Sequence, residues 1–365
     1  MTEYSIPYGK TRLTFSLPDN RLVEVIAPPE IPAAPNPLAV IAQALDEPVG
    51  GRRLTDFRGI ERAAIAINDK SRPVPHRFLL PPLLERLEAG GLKPESIHLI
   101  IATGTHPPMP PEEFGLVVPE AILKRYPVSC HDARDDSNLT WLGETPHGTP
   151  VWVNKEFINA DLRIVVGNIE PHQFQGFSGG VKSAAIGLAG AATVNYNHAL
   201  MTHPASRLGE YETNPARQDV EAIGALIGVH FALNAILNHK KEIVQAVAGE
   251  PRLVMQQGIP LVRQVCQVTV PAAYDFVIAS PGGHPKDINV YQSQKGLYHA
   301  CLVTRPGGTV ILAAACPDGS GSRSYEDWMT GMPSYAGVAT ATGVATATGV
   351  ATATQVIERF KQEGF

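Results

Sequence analysis

Short apolar runs rich in β-branched residues recur at residues 63–67, 97–102, 162–166, 276–279 and 309–314, and each stops at a polar or glycine-containing stretch. Runs of this length without polar alternation are the pattern of strands buried on both faces, as in a parallel sheet. Helical patterns lie between some of them. Residues 77–88 carry Phe78, Leu79, Leu83, Leu84 and Leu87, and residues 217–227 end at Gly228, a natural helix stop. Residues 231–238 and 241–247 alternate and are joined only around His239 and Lys240, which predicts a hairpin. Residues 252–266 predict a helix leading into a new strand, so a domain boundary is expected near residue 271. Strands alternating with helices place the chain in the α/β class, with an open, mainly parallel sheet. The expected domains are 1–271, carrying most of the candidate chemistry, and 272–365.

Composition narrows this picture. A chain of 365 residues suits two domains, and 44% hydrophobic against 18% charged residues excludes wholesale disorder. Thirty basic and 35 acidic residues give a formal charge of -5, with no basic run to track a phosphate backbone, so nucleic acid is not an expected partner. The 33 glycines and 32 prolines imply long loops, where function concentrates. Cys130, Cys266, Cys301 and Cys316 form no C-x-x-C pair and read as reduced thiols. No signal-peptide pattern and no apolar run of 18 residues occurs, so a soluble, cytoplasmic protein with no membrane partner is expected. The hexamer Gly-Val-Ala-Thr-Ala-Thr repeats three times over 337–354, far below the period of a solenoid unit, and reads as a low-complexity insertion.

In open α/β sheets ligands bind beyond the carboxyl ends of the strands, so the post-strand loops are the places to look for chemistry. They read Asn68-Asp69-Lys70-Ser71-Arg72, then Thr103-Gly104-Thr105-His106, then a long polar stretch over 167–183 that contains His172 and ends Gly179-Gly180-Val181-Lys182-Ser183. In the later domain they read Ser280-Pro281-Gly282-Gly283-His284, followed by Tyr291-Gln292-Ser293-Gln294-Lys295. A lone post-strand histidine is ordinarily a hydrogen-bonded loop residue, whereas two in equivalent positions raise an acid/base role. An arginine beside a proline is usually a surface charge, yet its fork suits a carboxylate when it faces a cleft. Val181 breaks the spacing of a phosphate loop, and Gly282-Gly283 does not extend to a dinucleotide fingerprint. His198 and His203 are five apart and do not share a helical face, so any metal held by His198 draws its other ligands from elsewhere.

The segment 167–190 resembles the signature of the lactate racemase family, the nickel-pincer enzymes, and 102–107, 69–73, Asn197-His198 and the stretch from Gly282 to Lys295 match in the same order. The resemblance implies two α/β domains with mainly parallel sheets and the active site in the cleft between them. It implies racemisation or epimerisation of a 2-hydroxy acid by proton-coupled hydride transfer through a 2-oxo acid, using a nickel-bound pyridinium mononucleotide with two sulfur-containing arms. Carried over residue by residue, it implies Lys182 as the covalent attachment point of that cofactor and His198 as the protein ligand to nickel. His106 and His172 are then the paired acid/base groups, Arg72 the substrate-carboxylate binder with Asp69 as its supporting partner, and Gln292 and Lys295 polar groups lining the cofactor site. Proteins of cofactor synthesis are the implied partners besides the small-molecule acid.

Two departures stand out. After Cys316-Pro317-Asp318-Gly319 the chain reads Ser320-Gly321-Ser322-Arg323 where many relatives carry histidine or glutamate. Arg323, His284 and Lys286 are candidates to hold a second carboxylate, which favours malate over lactate. Relatives also continue past the helix that 355–365 resembles, so a shortened second domain is expected. Alternatives to the racemase are a histidine-based metal hydrolase and a non-catalytic carrier of the pincer cofactor.

Overall fold

The computed structural model describes residues 1–72 and 74–321. In chain order its elements are β1 (Thr2–Tyr8), β2 (Thr11–Leu17), α1 (Pro37–Asp46), β3 (Ala63–Asn68), α2 (His76–Ala89), β4 (Ile97–Ala102), α3 (Glu120–Leu123), β5 (Val128–Cys130), β6 (Leu139–Glu144), β7 (Pro150–Asn154), α4 (Lys155–Ile158), β8 (Leu162–Ile169), β9 (Pro171–His172) and β10 (Gly176–Phe177). There follow α5 (Lys182–Ala185), α6 (Ala191–Ala199), α7 (Pro215–Ile227), β11 (Phe231–Leu237), β12 (Ile243–Gly249), α8 (Pro251–Cys266), β13 (Tyr274–Ala279), α9 (Val290–Val303) and β14 (Thr304–Leu312). They form two compact units, Pro28–Gln267 and Met1–Ala27 together with the chain from Val268.

The larger unit is built on a six-stranded sheet in the order β12-β11-β8-β3-β4-β5. Its β11, β8, β3, β4 and β5 are parallel, and only β12 runs antiparallel, as the second arm of the β11–β12 hairpin. Alternation along each strand explains the layers. Ile65, Ile67, Leu99, Ile101, Ile164 and Val166 face one way and pack on Ile41 and Leu45 of α1 and the leucines of α2. Ala64, Ala66, Ile100, Val165 and Ile236 face the other way, onto Phe157 of α4, Ala184 of α5, Val220 and Ile223 of α7 and Met255 of α8. Helix α2 continues through Pro81 and Pro82 because its buried stripe of Leu79, Leu80, Leu83, Leu84 and Leu87 outweighs the lost backbone bonds. Strand order reverses between β3 and β8: β4 and β5 follow on one side of β3, while β8 and β11 lie on the other. The crevice beyond the carboxyl ends of β3 and β8 is therefore the topological switch point, where open α/β sheets take ligands.

The expected strands all occur, and β8 runs on to Ile169, so Gly167 and Asn168 end the strand rather than open the loop. The hairpin of β11 and β12 also forms, its turn closed by Asn238 Oδ1 accepting from the backbone N–H groups of Lys240 and Glu242 at 3.0 Å each. Among the described residues no helix is long and apolar enough to cross a membrane, and all four cysteines are unpaired.

The smaller unit contains the β1–β2 antiparallel hairpin, the parallel pair β13–β14 and α9. It differs from the expected division at residue 271 in taking in the N-terminal 27 residues. The physical reason is a set of non-local bonds: the buried Asp287 carboxylate accepts from the Gly9 N–H at 2.6 Å and the Ala315 N–H at 3.2 Å. The N–H of His284 also donates to the Gly9 carbonyl at 2.8 Å, and Ser280 Oγ to the Pro7 carbonyl at 2.6 Å. Arg323, the repeat over 337–354 and the stretch 355–365 lie outside the described residues.

Candidate active site

Strand β3 delivers Asp69 just past its last residue. One carboxylate oxygen, Oδ1, accepts from Ser71 Oγ at 2.6 Å and the Ser71 N–H at 3.2 Å, an Asx turn that fixes the loop. The other, Oδ2, faces the loop after β4 and lies 2.8 Å from Nδ1 of His106. Burial pushes the Asp69 pKa up, but bonds from His106 and Ser71 and the nearby guanidinium of Arg72 more than offset it and hold the carboxyl below its usual range. Asp69 is thus 7% exposed and ionised, while the imidazole it orients is 48% exposed. Its hydrogen-bond partners are His106 and Ser71; Arg72, expected as the residue it supports, acts on it through space and is linked to it by donating to Ser71 Oγ at 3.5 Å.

The stretch after β8 is held from several sides. Ser178 Oγ donates to the Asn168 carbonyl and accepts from the Glu170 N–H, both at 3.0 Å. Strands β9 and β10 make a minimal hairpin in which His172 pairs with Gly176. Gly176 has φ +70°, and a Cβ there would lie 1.7 Å from the Glu210 carbonyl oxygen, so no other residue fits. Within the turn the Gln175 N–H donates to Nδ1 of His172 at 3.2 Å. The Phe174 ring stands edge-on to both His172 and His198, with centroids 4.9 and 5.1 Å away.

Behind this surface lies a buried polar scaffold. Arg217 on α7, 0% exposed, donates to the carbonyls of Phe177 at 3.0 Å and Gly179 at 3.1 Å and pairs with Glu221 at 2.5 Å. Asn234 on β11 accepts from the Gly180 N–H at 2.7 Å. Gln175 Nε2 donates to Asn197 Oδ1 at 2.6 Å, and Asn197 Nδ2 donates to Asp219 at 2.9 Å. Thr145 and Thr149 donate to the two Asp219 oxygens at 2.5 and 2.9 Å, so that buried carboxylate is held by neutral donors.

Lys182 opens α5 and His198 lies in the last turn of α6. Both residues are half-buried by exposed surface yet densely surrounded by protein. That desolvation, reinforced by Arg72 and Arg217 and opposed by Glu170, holds Lys182 well below the usual lysine pKa. The same surroundings push His198 down to about 4, with the Lys182 charge acting in the same direction. The imidazole is neutral near pH 7; the Val194 backbone one turn earlier opposes the downward shift, although Nδ1 makes no hydrogen bond of good geometry among the described residues.

The larger unit therefore carries Asp69, Arg72, His106, His172, Lys182 and His198 at one end of its sheet. Gln292 and Lys295 belong to α9 of the smaller unit, where Lys295 Nζ donates to Gln292 Oε1 at 2.8 Å. Sequence reasoning gave no individual role to Phe174, Gln175, Asn197, Arg217 or Asp219. Among the described residues no group of three or more His, Cys, Asp or Glu side chains is placed to hold a metal ion, so a metal at His198 needs further ligands that such a cluster does not supply.

Such an arrangement, with imidazoles, an amine and a guanidinium beyond the strands of a doubly covered parallel sheet, is that of an α/β protein with a ligand site at its topological switch point. Residues 8–209 match the lactate racemase N-terminal domain, and residues 269–354 match the lactate racemase C-terminal domain. The chain is similar to the lactate racemase of Thermoanaerobacterium thermosaccharolyticum, 34% identical over 333 residues, which are 90% of this chain and 78% of that protein. It is likewise similar to the lactate racemase of Lactiplantibacillus plantarum, 31% identical over 89% of this chain and 77% of that protein. The solved structure of the Thermoanaerobacterium thermosaccharolyticum lactate racemase apoprotein superposes with a TM-score of 0.83 at 33% identity, covering 90% of this chain and 78% of that one. A Thermotoga maritima protein shares the fold at a TM-score of 0.60 and 22% identity, over 75% of this chain and 70% of that one. The chain belongs to the lactate racemase family, and it is an isomerase.

Proposed function

We propose that this isomerase inverts the carbinol carbon of a 2-hydroxy acid, malate in preference to lactate, with a nickel-bound pyridinium pincer nucleotide held by Lys182 and His198. The observation that carries the reading is the buried, neutral imidazole of His198, its pKa pushed down to about 4 by desolvation and by the nearby Lys182, which is itself an amine of depressed basicity. The desolvation that lowers the Lys182 pKa favours the nucleophilic free amine that a covalent bond to the cofactor requires.

Removing the α-hydrogen as a proton would place a second negative charge beside the substrate carboxylate, which Coulomb repulsion opposes. Removing it with its electron pair avoids that charge. When bound, the pincer group supplies the electrophile for that electron pair. The chain's own residues do the rest. Arg72 offers its fork to the substrate carboxylate. His106 takes the hydroxyl proton, and Asp69, ionised against its Nδ1, stabilises the imidazolium that results. The flat 2-oxo acid so formed presents either face, and His172 serves the hydroxyl of the mirror-image acid. Malate is favoured by Arg323, with His284 and Lys286 as further cations for a second carboxylate.

The test is conversion of single enantiomers of malate and lactate by protein produced with the cofactor pathway and nickel, followed by chiral separation. Both enantiomers of malate should approach equal amounts, faster than lactate, and Arg323→Ala should erase the difference. Fully loaded protein that leaves every enantiomer intact contradicts the proposal.

A further inference from the structure

The two imidazoles assigned to proton transfer are not held alike. The oxygen facing Nδ1 of His106 belongs to an ionised carboxylate, which only accepts, so the ring donates from Nδ1 at 2.8 Å. The group facing Nδ1 of His172 is the Gln175 backbone N–H, which only donates, so that ring nitrogen accepts at 3.2 Å. In a neutral imidazole the bond at one nitrogen decides where the proton sits.

We infer that the two neutral rings are held in opposite tautomers, His106 with its proton on Nδ1 and His172 with its proton on Nε2, and that Gln175 is the positioning residue that sets the second. The Gln175 side chain is fully buried and tied through Asn197 to Asp219, so its backbone N–H is not free to turn away from His172. Gly176, locked against the Glu210 carbonyl, fixes the turn from the other side. Because Asn197 precedes His198 on α6, the same three side chains that set the His172 tautomer also anchor the helix of the proposed nickel ligand.

The inference rests on the acid/base reading above and deepens it. A hydroxyl presented to His106 meets a lone pair at Nε2 and loses its proton there directly. A hydroxyl presented to His172 meets an N–H. For that ring to act as a base at Nε2, its own proton must first leave Nε2 and a proton must bind Nδ1, which sets N–H against the N–H of Gln175 and breaks that contact. The mirror-image acids have equal free energies in water, so their kcat/KM values must coincide. The asymmetry therefore appears as kcat and KM that differ between the enantiomers by the same factor.

The test is a long-range proton–nitrogen correlation spectrum of the apoprotein labelled with 15N-histidine, above the imidazole titration range, assigned with His106→Gln and His172→Gln. His106 should show a pyrrole-type Nδ1, and His172 a pyrrole-type Nε2. The same tautomer at both rings overturns the inference. Gln175→Ala should convert the His172 signals to a tautomer average, leave those of His106 in place and bring the two kcat values together; unchanged His172 signals in the folded variant remove Gln175 from its role. The wild-type spectrum decides the tautomers even if the variant does not fold. Opposite tautomers without racemisation would count against the proposed function alone, and like tautomers with racemisation intact against this inference alone.

Discussion

Arg217 is the side chain whose removal best separates stability from site geometry. It is fully buried, pairs with Glu221 through Nε at 3.0 Å and Nη2 at 2.5 Å, and holds the carbonyls of Phe177 and Gly179. Its guanidinium also lies 5.1 Å from the Tyr211 ring centroid. Arg217→Met keeps the volume but leaves Glu221 buried without its cation, and breaking a buried pair from one side costs about 3–5 kcal/mol. For a unit of this size that is a fall in Tm of roughly 6–20 °C. Adding Glu221→Leu removes the stranded charge but also the acceptor of the Tyr211 hydroxyl, at 2.9 Å in the native pair, so the remaining deficit is two carbonyls and one hydroxyl, about 1 kcal/mol each at the low end of the range. The double variant should therefore regain part of the lost stability, up to about 2 kcal/mol, in urea unfolding followed by circular dichroism. It should not regain function, because the carbonyls that shape the approach to Lys182 remain unheld. A single variant within about 1 kcal/mol of wild type, or a double variant no more stable than the single one, refutes the argument that a paired charge holds this loop.

Other consequences are as direct. Asp69→Asn removes the charge that faces His106, and loss of a hydrogen bond to a charged group, about 1.5–3 kcal/mol, should lower kcat/KM roughly 10- to 150-fold with overall stability little changed; steady-state kinetics on either enantiomer reads it. His76 is buried with its pKa pushed down to about 4 by desolvation. A base whose folded pKa is depressed binds fewer protons than in the unfolded chain, so the fold loses stability as pH falls from about 6.5 towards 4. That one ring accounts for about 3 kcal/mol of the loss, and His76→Gln should flatten the pH dependence of unfolding in this window. Lys182→Ala should abolish any mass increment that survives denaturation of cofactor-loaded protein; persistence of the increment would exclude Lys182 as the attachment point.

Much of the fold was legible because the parallel strands are short apolar runs with abrupt ends, and those ends expose Asp69, Arg72, His106, His172 and Lys182 in order. The β11–β12 hairpin was legible for an equally local reason, alternation across a short connection; the helix expected over 252–266 forms as α8, and the structure adds its cap, Glu250 accepting from the N–H groups of Arg252 and Leu253. What escaped depends on contacts distant in sequence. Helix α6 has no marked apolar stripe, so the element carrying His198 gave no periodic signal. Arg217 reads in sequence as an ordinary charge in the first turn of a helix, although the fold buries it completely. The pairing of Asp69 with Arg72 was an expectation carried by the family resemblance, and the contact between Asp69 and His106 had no local signal in the sequence. The Asx turn takes up Oδ1 and leaves Oδ2 facing His106, 37 residues away. The placement of β1 and β2 with the C-terminal unit rests on Gly9 and Asp287, 278 residues apart.

The most direct test of the hydride-transfer mechanism is to run the reaction on a single enantiomer of malate in heavy water, with the cofactor loaded, and to weigh the product after chiral separation. Return of the α-hydrogen with its electron pair predicts the opposite enantiomer with no deuterium at the α-carbon. Deuterium at that carbon in the inverted product would show that the hydrogen leaves as a proton, and would contradict the roles proposed for His106, Lys182 and His198.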